Sequence, residues 1–391
     1  MTAGGTAPLA RRVAEVAPFH VMALLARAKE LEAQGRSIVH MEIGEPDFPT
    51  PQPVCAAGAR ALESGKLFYT PALGLPELRA AIARYYRDRY RVDIPPSRVI
   101  VTCGASGALM LAIAALVDPG DEVIMADPSY PANRNFVRVM GGVPVEIAAG
   151  AESAYQLLPE MVERHWSART RAVMVASPAN PTGTLMPRQA LRAIVEYARS
   201  RGGAVISDEI YHGLVYEGEC DTALTLGDGV FVINSFSKYF NMTGWRLGWI
   251  VVPEAYVRDF DKLAQNIYLS APTPAQYAAL AAFAPETIAI LEERRAEFRA
   301  RRDYLVPALR QLGFRIPVVP QGAFYVYADC SALAPDSFAF ARGLLETAGV
   351  AITPGADFGA HDAARHVRFA YTNAVPALAE GVKRIGGFLA R

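Results

Sequence analysis

The strongest chemical signal in the chain is a lysine that follows two serines. Ser235 and Ser237 precede Lys238, which comes soon after the apolar run 230–233. An ammonium group in apolar surroundings is desolvated, and this lowers its pKa and frees its lone pair for attack on a carbonyl. Arg246 follows with a guanidinium, and together with the hydroxyls it forms a donor set that suits a phosphate. The stretch predicts a Schiff base between Lys238 and a phosphorylated aldehyde, pyridoxal 5'-phosphate (PLP).

Lysine is rare in this chain, which makes the position of Lys238 informative. Only five of the basic residues are lysines, against 34 arginines. The other four lysines stand in polar or charged settings and are expected at the surface: Lys29, Lys66, Lys262 and Lys383.

A second phosphate-binding element is predicted before the helical pattern 108–116. Ala105 and Ser106 would present backbone N–H groups at a helix start, where the helix dipole favours an anion. The alternative is a plain glycine turn in which Ser106 caps the helix. Tyr130, after the next strand, can offer a flat face to an aromatic ring or simply cover a strand end.

Three polar residues in later loops suit the ring of the same cofactor. Asp208 directly follows an apolar run, where an unpaired carboxylate is costly, and a protonated pyridine nitrogen would pair with it. The alternative is an aspartate that caps a helix. Asn180 can donate to a phenolate oxygen, although an Asn-Pro turn needs no function, and Tyr211 can share that oxygen.

Arg368 is an arginine in an otherwise apolar strand pattern, 367–371. Its forked guanidinium suits the carboxylate of an incoming substrate in a bidentate arrangement. The alternative is a structural ion pair.

Seven short apolar runs are predicted to form the strands that position these residues. Strands buried on both faces and connected by helices indicate a mostly parallel seven-stranded sheet in an α/β domain. Ligands gather beyond the carboxyl ends of such strands, where the motifs around Lys238 fall. The runs are 98–102, 122–126, 143–147, 172–176, 204–207, 230–234 and 247–252.

The two ends of the chain are predicted to form a smaller unit. A long charge-laced helical pattern at 285–312 leads out of the sheet, and the helical pattern 19–34 is expected to pack with the carboxy-terminal part. We therefore expect a large domain at 50–285 and a small α+β domain from 1–49 and 286–391. Its predicted elements are strands 322–327 and 367–371 and helices 337–348 and from 376 onward.

Composition excludes several other classes of protein. With 39 basic and 39 acidic residues the net charge is zero, so no field favours nucleic acid or an anionic membrane. The longest apolar run, 108–117, is about half the ~20 residues of a membrane span. The four cysteines form no CxxC pair and the six histidines show no metal-ligand spacing. We expect a cytoplasmic protein without a metal site.

Taken together, the motifs resemble those of PLP-dependent aminotransferases of fold type I, the aspartate aminotransferase superfamily (class I/II). The resemblance runs nearly end to end. It implies transfer of an amino group from an L-amino acid to a 2-oxo acid, with 2-oxoglutarate and pyruvate as candidates, in a ping-pong reaction. It rests on 43–48, 69–71, 74–79, Asn180-Pro181, Asp208 with Tyr211, the Lys238 motif, 322–325 and Arg368.

The resemblance also implies a role for each site residue. Lys238 would carry the cofactor and then move the substrate's proton. Tyr69 would reach the phosphate of a neighbouring subunit, which implies a homodimer. The catalytic residues would be Lys238, Asp208 and Tyr211. The cofactor would be bound by Ala105, Ser106, Tyr130, Asn180, Asp208, Tyr211, Ser235, Ser237, Lys238, Arg246 and Tyr69. The substrate carboxylate would be held by Gly44, Asn180 and Arg368.

Departures from the family pattern bear on the substrate. Some aspartate-specific relatives carry lysine where Ser106 stands, and relatives that favour aromatic amino acids or kynurenine often carry tyrosine. The segment 265–280 lacks the arginine that other aspartate enzymes lend across the dimer. Phe19 and Met22 are expected near the side-chain pocket, which would suit an apolar amino acid.

Parts of these motifs also occur in three other classes of protein. A PLP-dependent lyase of the same fold, with cystathionine β-lyase-like activity, would share nearly every residue named. An α/β-hydrolase would use Ser106 as nucleophile, in a degraded nucleophile elbow at 104–108, with His361 as base, but it gives Lys238 and Asp208 no role. A PLP-binding transcription regulator would need a DNA-binding domain, and barely 40 residues precede Gly44.

Overall fold

The computed structural model describes residues 7–218 and 220–391, and a seven-stranded sheet lies at their centre. The strands are β1 (Val39–His40), β2 (Val99–Thr102), β3 (Glu122–Asp127), β4 (Val143–Ala148), β5 (Thr170–Ala176), β6 (Ala204–Asp208), β7 (Val230–Ser235), β8 (Gly248–Val251), β9 (Tyr325–Asp329), β10 (Val350–Ala351), β11 (Thr353–Pro354) and β12 (His366–Ala370). The helices are α1 (Arg12–Glu15), α2 (His20–Ala33), α3 (Gln52–Glu63), α4 (Pro76–Tyr90), α5 (Gly104–Leu116), α6 (Pro131–Val139), α7 (Pro159–His165), α8 (Arg188–Ser200), α9 (Val257–Ile267), α10 (Thr273–Leu280), α11 (Pro285–Gln311), α12 (Ser337–Gly343) and α13 (Val375–Leu389).

The central sheet confirms the predicted mostly parallel architecture. Its strand order is β2-β8-β7-β6-β5-β3-β4, and β8 alone in this sheet runs antiparallel to its neighbours. All seven predicted runs are strands of this sheet. Strands β6 and β7 extend one residue further than predicted, so that Asp208 and Ser235 are the last residues of their strands.

Helices cover both faces of the sheet, which explains why its strands are continuously apolar. Every residue of β2, β6, β7 and β8 is buried. The amphipathic pattern of residues 188–200 predicts a helix, and α8 has these bounds and buries Leu191, Ile194, Val195 and Ala198 along one stripe.

The start of helix α5 differs from the prediction. The helix begins at Gly104 rather than at residue 108, because Gly104 adopts a φ of +71° that admits the sharp entry from β2. Ser106 therefore lies in the first helical turn, and the alternative in which Ser106 caps the helix is wrong. The shift brings the start of α5 to the end of the sheet.

The remaining strands come from the two ends of the chain. Strands β1 and β10 pair in parallel, and β11, β12 and β9 form an antiparallel sheet. The predicted strand 322–327 begins only at Tyr325, since Ala323 adopts a φ of +57°. Helix α2 packs its buried Leu24 against Leu345, as expected for contact between the chain ends. Within the described ranges, no helix has both the length and the apolar character that crossing a bilayer requires.

Candidate active site

A cavity of about 320 Å³ lies beyond the carboxyl ends of β5, β6 and β7, beside the start of α5. Every site residue predicted from the sequence lines it, with the exception of Tyr69. These lining residues are Gly44, Ala105, Ser106, Tyr130, Asn180, Asp208, Tyr211, Ser235, Ser237, Lys238, Arg246 and Arg368.

Lys238 is the one lysine that faces this cavity among the described residues. It is partly buried, and its Nζ donates a hydrogen bond to the Gly44 carbonyl oxygen at 2.7 Å. Burial, together with the nearby positive charges of Arg368 and Arg246, lowers the pKa of Lys238 to about 8. A substantial fraction of this amine is therefore neutral and nucleophilic near physiological pH. The other four lysines are exposed.

Asp208 ends strand β6 as a buried carboxylate. Its Oδ1 accepts a hydrogen bond from the Ile210 backbone N–H at 3.1 Å, in a turn and not at a helix cap. No lysine or arginine nitrogen of the described chain lies within 4.0 Å of this carboxylate. Burial raises the pKa of Asp208 to about 6. A cationic ligand atom that reaches Asp208 would relieve this desolvation.

Three parts of the chain converge on a cradle suited to a phosphate. Ser235 donates from Oγ to Ser237 Oγ at 3.0 Å, so that both hydroxyls lie together at the end of β7. The N-cap residue of α5 makes no side-chain capping bond, so the first N–H groups of the helix stay available for an anion. Arg246 lines the same cavity and supplies the positive charge.

Glycine keeps this cradle narrow. A Cβ on Gly248 would lie 2.7 Å from the Gly104 carbonyl carbon and 2.8 Å from the Ala105 nitrogen. A Cβ on Gly104 would lie 2.8 Å from the Arg246 Nη2 atom. The start of α5 therefore approaches β8 and the guanidinium more closely than any side chain would permit.

Arg368 and Asn180 form the opposite wall of the cavity. Arg368 Nη1 donates to Asn180 Oδ1 at 2.9 Å, and Nη2 donates to the Glu42 carbonyl oxygen. Arg368 is 5% exposed, but no carboxylate of the described residues pairs with it and its Nε has no partner. The alternative of a structural ion pair is therefore wrong. A buried guanidinium with an unused donor suits a carboxylate ligand.

Tyr325 also lines the site, although no role for it is predicted from the sequence. Its hydroxyl lies 2.9 Å from the Tyr211 hydroxyl, and its ring lies 4.3 Å from the Arg368 guanidinium. A Cβ on Gly44 would overlap with the Tyr325 hydroxyl, so a glycine is required at this contact. Burial raises the pKa of Tyr211 well above its ordinary value, which keeps its phenol protonated and able to donate.

Comparison with known proteins agrees with this geometry. A family model described as aminotransferase class I and II matches residues 36–385. The chain is 41% identical to the valine–pyruvate aminotransferase of Mycobacterium tuberculosis over 96% of this chain and 97% of the relative. It is 39% identical to the aspartate/prephenate aminotransferase of Thermus thermophilus over 98% and 99%. A crystal structure of an aminotransferase from Mycobacterium tuberculosis superposes with a TM-score of 0.95 at 41% identity, over 98% and 100% of the two chains.

The chain belongs to the class I and II aminotransferases. It is an enzyme that transfers amino groups between amino acids and 2-oxo acids, in a family that depends on PLP. The hydrolase alternative is wrong, since Ser106 lines the active-site cavity of this aminotransferase whereas His361 lines a different one.

The aminotransferase cavity fits the cofactor of the family on its own geometry. Three features face this cavity. They are the amine of Lys238, whose pKa is lowered, the buried carboxylate of Asp208, which has no cationic partner in the described chain, and the uncapped start of α5. A carboxylate at Asp208, the donors of Ser235, Ser237 and Arg246, and the amine of Lys238 are the kinds of group that the ring nitrogen, the phosphate and the aldehyde of PLP would require. Tyr69 is 82% exposed and lies away from the cavity of its own chain.

Proposed function

We propose that this aminotransferase binds PLP through Lys238 and moves an amino group from an L-amino acid to a 2-oxo acid. The proposal rests on a basic group and an acidic group that line the same cavity. A lysine whose pKa is lowered faces an aspartate whose pKa is raised, both by burial, and neither has an ion-pair partner in the described chain. A cofactor with an aldehyde and a basic ring nitrogen would use both groups.

Asp208 and Lys238 have different roles in the proposed reaction. PLP, when bound, supplies a ring that withdraws electrons from the substrate's Cα. Asp208 holds a proton on the ring nitrogen, because its buried carboxylate favours a cationic partner. Lys238 carries a proton from the substrate's Cα at its Nζ, and its pKa of about 8 lets the same atom accept and donate.

Asn180 links the substrate site to the cofactor site. Its Oδ1 is occupied by Arg368, so its amide N–H groups point to the other side and can donate to the ring oxygen of PLP. Tyr211 supplies a second donor to that oxygen. Tyr130 covers the ring, and Arg368 binds the substrate carboxylate beside Gly44.

We further propose a homodimer in which Tyr69 reaches the phosphate of the neighbouring subunit. The support is the run of exposed apolar side chains around it, with Leu67 at 40%, Phe68 at 77% and Tyr69 at 82% exposure. We also propose that 1–49 and 286–391 form the small domain that closes over the substrate on a large domain at 50–285. The strands β1 and β9–β12 all belong to the chain ends, which supports this division.

A spectroscopic half-reaction tests the function. Each amino acid is added singly to the purified protein loaded with PLP, and conversion of the aldehyde form of the cofactor to the amine form is followed by absorbance. A 2-oxo acid should then restore the original spectrum. If no amino acid changes the spectrum, the proposal is wrong, and release of ammonia without an acceptor would indicate the lyase instead.

Substitution of Lys238 tests its role in the same assay. Lys238→Ala should lower turnover by at least the ~10²–10⁴-fold of general acid–base catalysis, because the covalent link and the proton carrier are both lost. Lys262→Ala is the matched control, since Lys262 is exposed on α9 and pairs with Asp259. Turnover of Lys238→Ala within tenfold of the parent would refute the assignment.

A further inference from the structure

Under the proposed function, the positive charges in the active-site cavity all bind either the cofactor or the α-carboxylate that every substrate shares. Of the described residues that line the cavity, three are cationic: Lys238, Arg246 and Arg368. Under the proposed function these bind the cofactor aldehyde, the cofactor phosphate and the substrate's α-carboxylate. A second carboxylate on the substrate would find no further cation among the residues of this chain that line the cavity, and the segment 265–280 offers none across the proposed dimer. It would instead meet Glu45 and Asp357, which line the same space.

Several large apolar side chains also line the cavity. Phe19, Met22 and Leu109 line the cavity, and the Phe19 ring lies 6.3 Å from the ring of Tyr130. Phe358 is 1% exposed and lies 4.8 Å from the guanidinium that would hold the α-carboxylate. A substrate side chain that extends toward these residues would therefore lie against hydrocarbon.

Asp357 occupies the start of α2, which could otherwise attract an anion. The start of α2 has no side-chain cap of its own, and its N–H groups would favour a carboxylate. Asp357 already accepts from the His20 N–H at 2.6 Å and from the Val21 N–H at 2.8 Å. This contact occupies the helix end and also holds Phe19 and Met22 against the cavity.

We infer that this site selects amino acids and 2-oxo acids with apolar side chains and rejects those with a second carboxylate. The inference rests on the proposed function and adds the substrate class to it. It covers donor and acceptor alike, because one pocket receives both in turn in a ping-pong reaction. Glutamate, aspartate, 2-oxoglutarate and oxaloacetate are then poor substrates.

A homologous series of amino donors measures how much each buried methylene of the substrate side chain contributes to kcat/KM. With the PLP-loaded enzyme, kcat/KM should rise by about fourfold for each methylene from alanine through 2-aminobutyrate to norvaline, the effect of burying one CH₂. Leucine and norvaline should exceed glutamate and aspartate by at least about tenfold. If glutamate or aspartate equals them, the inference is wrong although the proposed function stands. If no amino acid reacts, the proposed function itself fails.

Substitutions of Met22 test whether substrates with a second carboxylate are rejected because the cavity has no further positive charge. Met22 is 54% exposed at the cavity mouth, so a lysine there can reach the substrate side chain. Met22→Lys should raise kcat/KM for glutamate relative to leucine by about threefold to fivefold, as a partly exposed ion pair allows. Met22→Gln has a side chain of similar length without charge and should leave that ratio unchanged. Equal ratios in the two variants would contradict the inference.

Binding of unreactive acids gives a readout that needs no turnover. Calorimetric titration of the PLP-loaded enzyme should show tighter binding of 4-methylpentanoate than of glutarate. Met22→Lys should narrow the difference in affinity between these two acids, and Met22→Gln should leave that difference unchanged. Tighter binding of glutarate by the parent enzyme would overturn the inference.

Discussion

The buried carboxylate of Asp208 lowers the stability of the cofactor-free protein. Its native pKa of about 6 lies above the ordinary value of 3.8, so the native state binds its proton more tightly than the unfolded state does. The ionised carboxylate therefore destabilises the cofactor-free protein by about 2–3 kcal/mol above pH 6, and this effect fades as the pH falls toward 4.

Asp208→Asn is expected to raise the melting temperature of the cofactor-free protein at pH 8 and to have a smaller effect near pH 5. PLP should then stabilise the variant much less than the parent, because the amide cannot pair with the ring nitrogen. Thermal unfolding with and without PLP at the two pH values measures both effects. Asp259→Asn on the exposed side of α9 is the control. A cofactor-free variant no more stable than its parent at pH 8 would contradict this explanation.

The sequence alone predicts those site residues that place a charge within an apolar pattern. Lys238, Asp208 and Arg368 each interrupt an apolar pattern with a charge, and the structure brings all three to one cavity. Tyr325 and Asp357 received no role, because a tyrosine in an apolar strand and an aspartate in a loop are unremarkable by type. Their contacts, to Tyr211 and to the start of α2, join segments far apart in the chain and depend on the tertiary fold.

At the scale of elements, the approach of α5 to β8 sets the width of the phosphate cradle. Gly248→Ala would bring its Cβ within 3.0 Å of backbone atoms of Gly104 and Ala105, which cannot move aside as a side chain could. The start of α5 would be displaced, and PLP affinity should fall by about tenfold or more. Fluorescence titration of the cofactor-free protein with PLP measures this.

Gly244→Ala is the matched control, since a Cβ there meets no atom within 4 Å and lies in the same segment. It should bind PLP as the parent does. An equal effect of the two substitutions, or none from Gly248→Ala, would show that the close approach is not what shapes the cradle.

The elements themselves were largely predictable, whereas their arrangement was not. The seven strands followed from continuous apolar runs, and α8 followed from its 3.6-residue period. The order of the strands, with β8 between β2 and β7, depends on pairings between distant segments that local patterns do not encode. The early start of α5 depends on the positive φ of Gly104, which a glycine permits but does not require.

At the scale of the whole molecule, the proposed dimer makes a complementation experiment possible. Tyr69→Phe removes a hydrogen bond to a charged group, so PLP affinity should fall by about tenfold or more. Lys238→Ala removes the reactive amine. If each site combines Lys238 of one subunit with Tyr69 of the other, a mixed dimer of the two variants has one intact site. Random mixing at limiting PLP should then restore about a quarter of the sites. Activity no greater than the sum of the separate variants would contradict a shared site.

The covalent attachment of PLP to Lys238 is the claim that every proposed role depends on. Borohydride reduction of the PLP-loaded protein followed by peptide mass mapping tests it most directly. We expect a single phosphopyridoxyl group, on the peptide that contains Lys238. No reduced adduct, or one on an exposed lysine such as Lys262, would contradict the account.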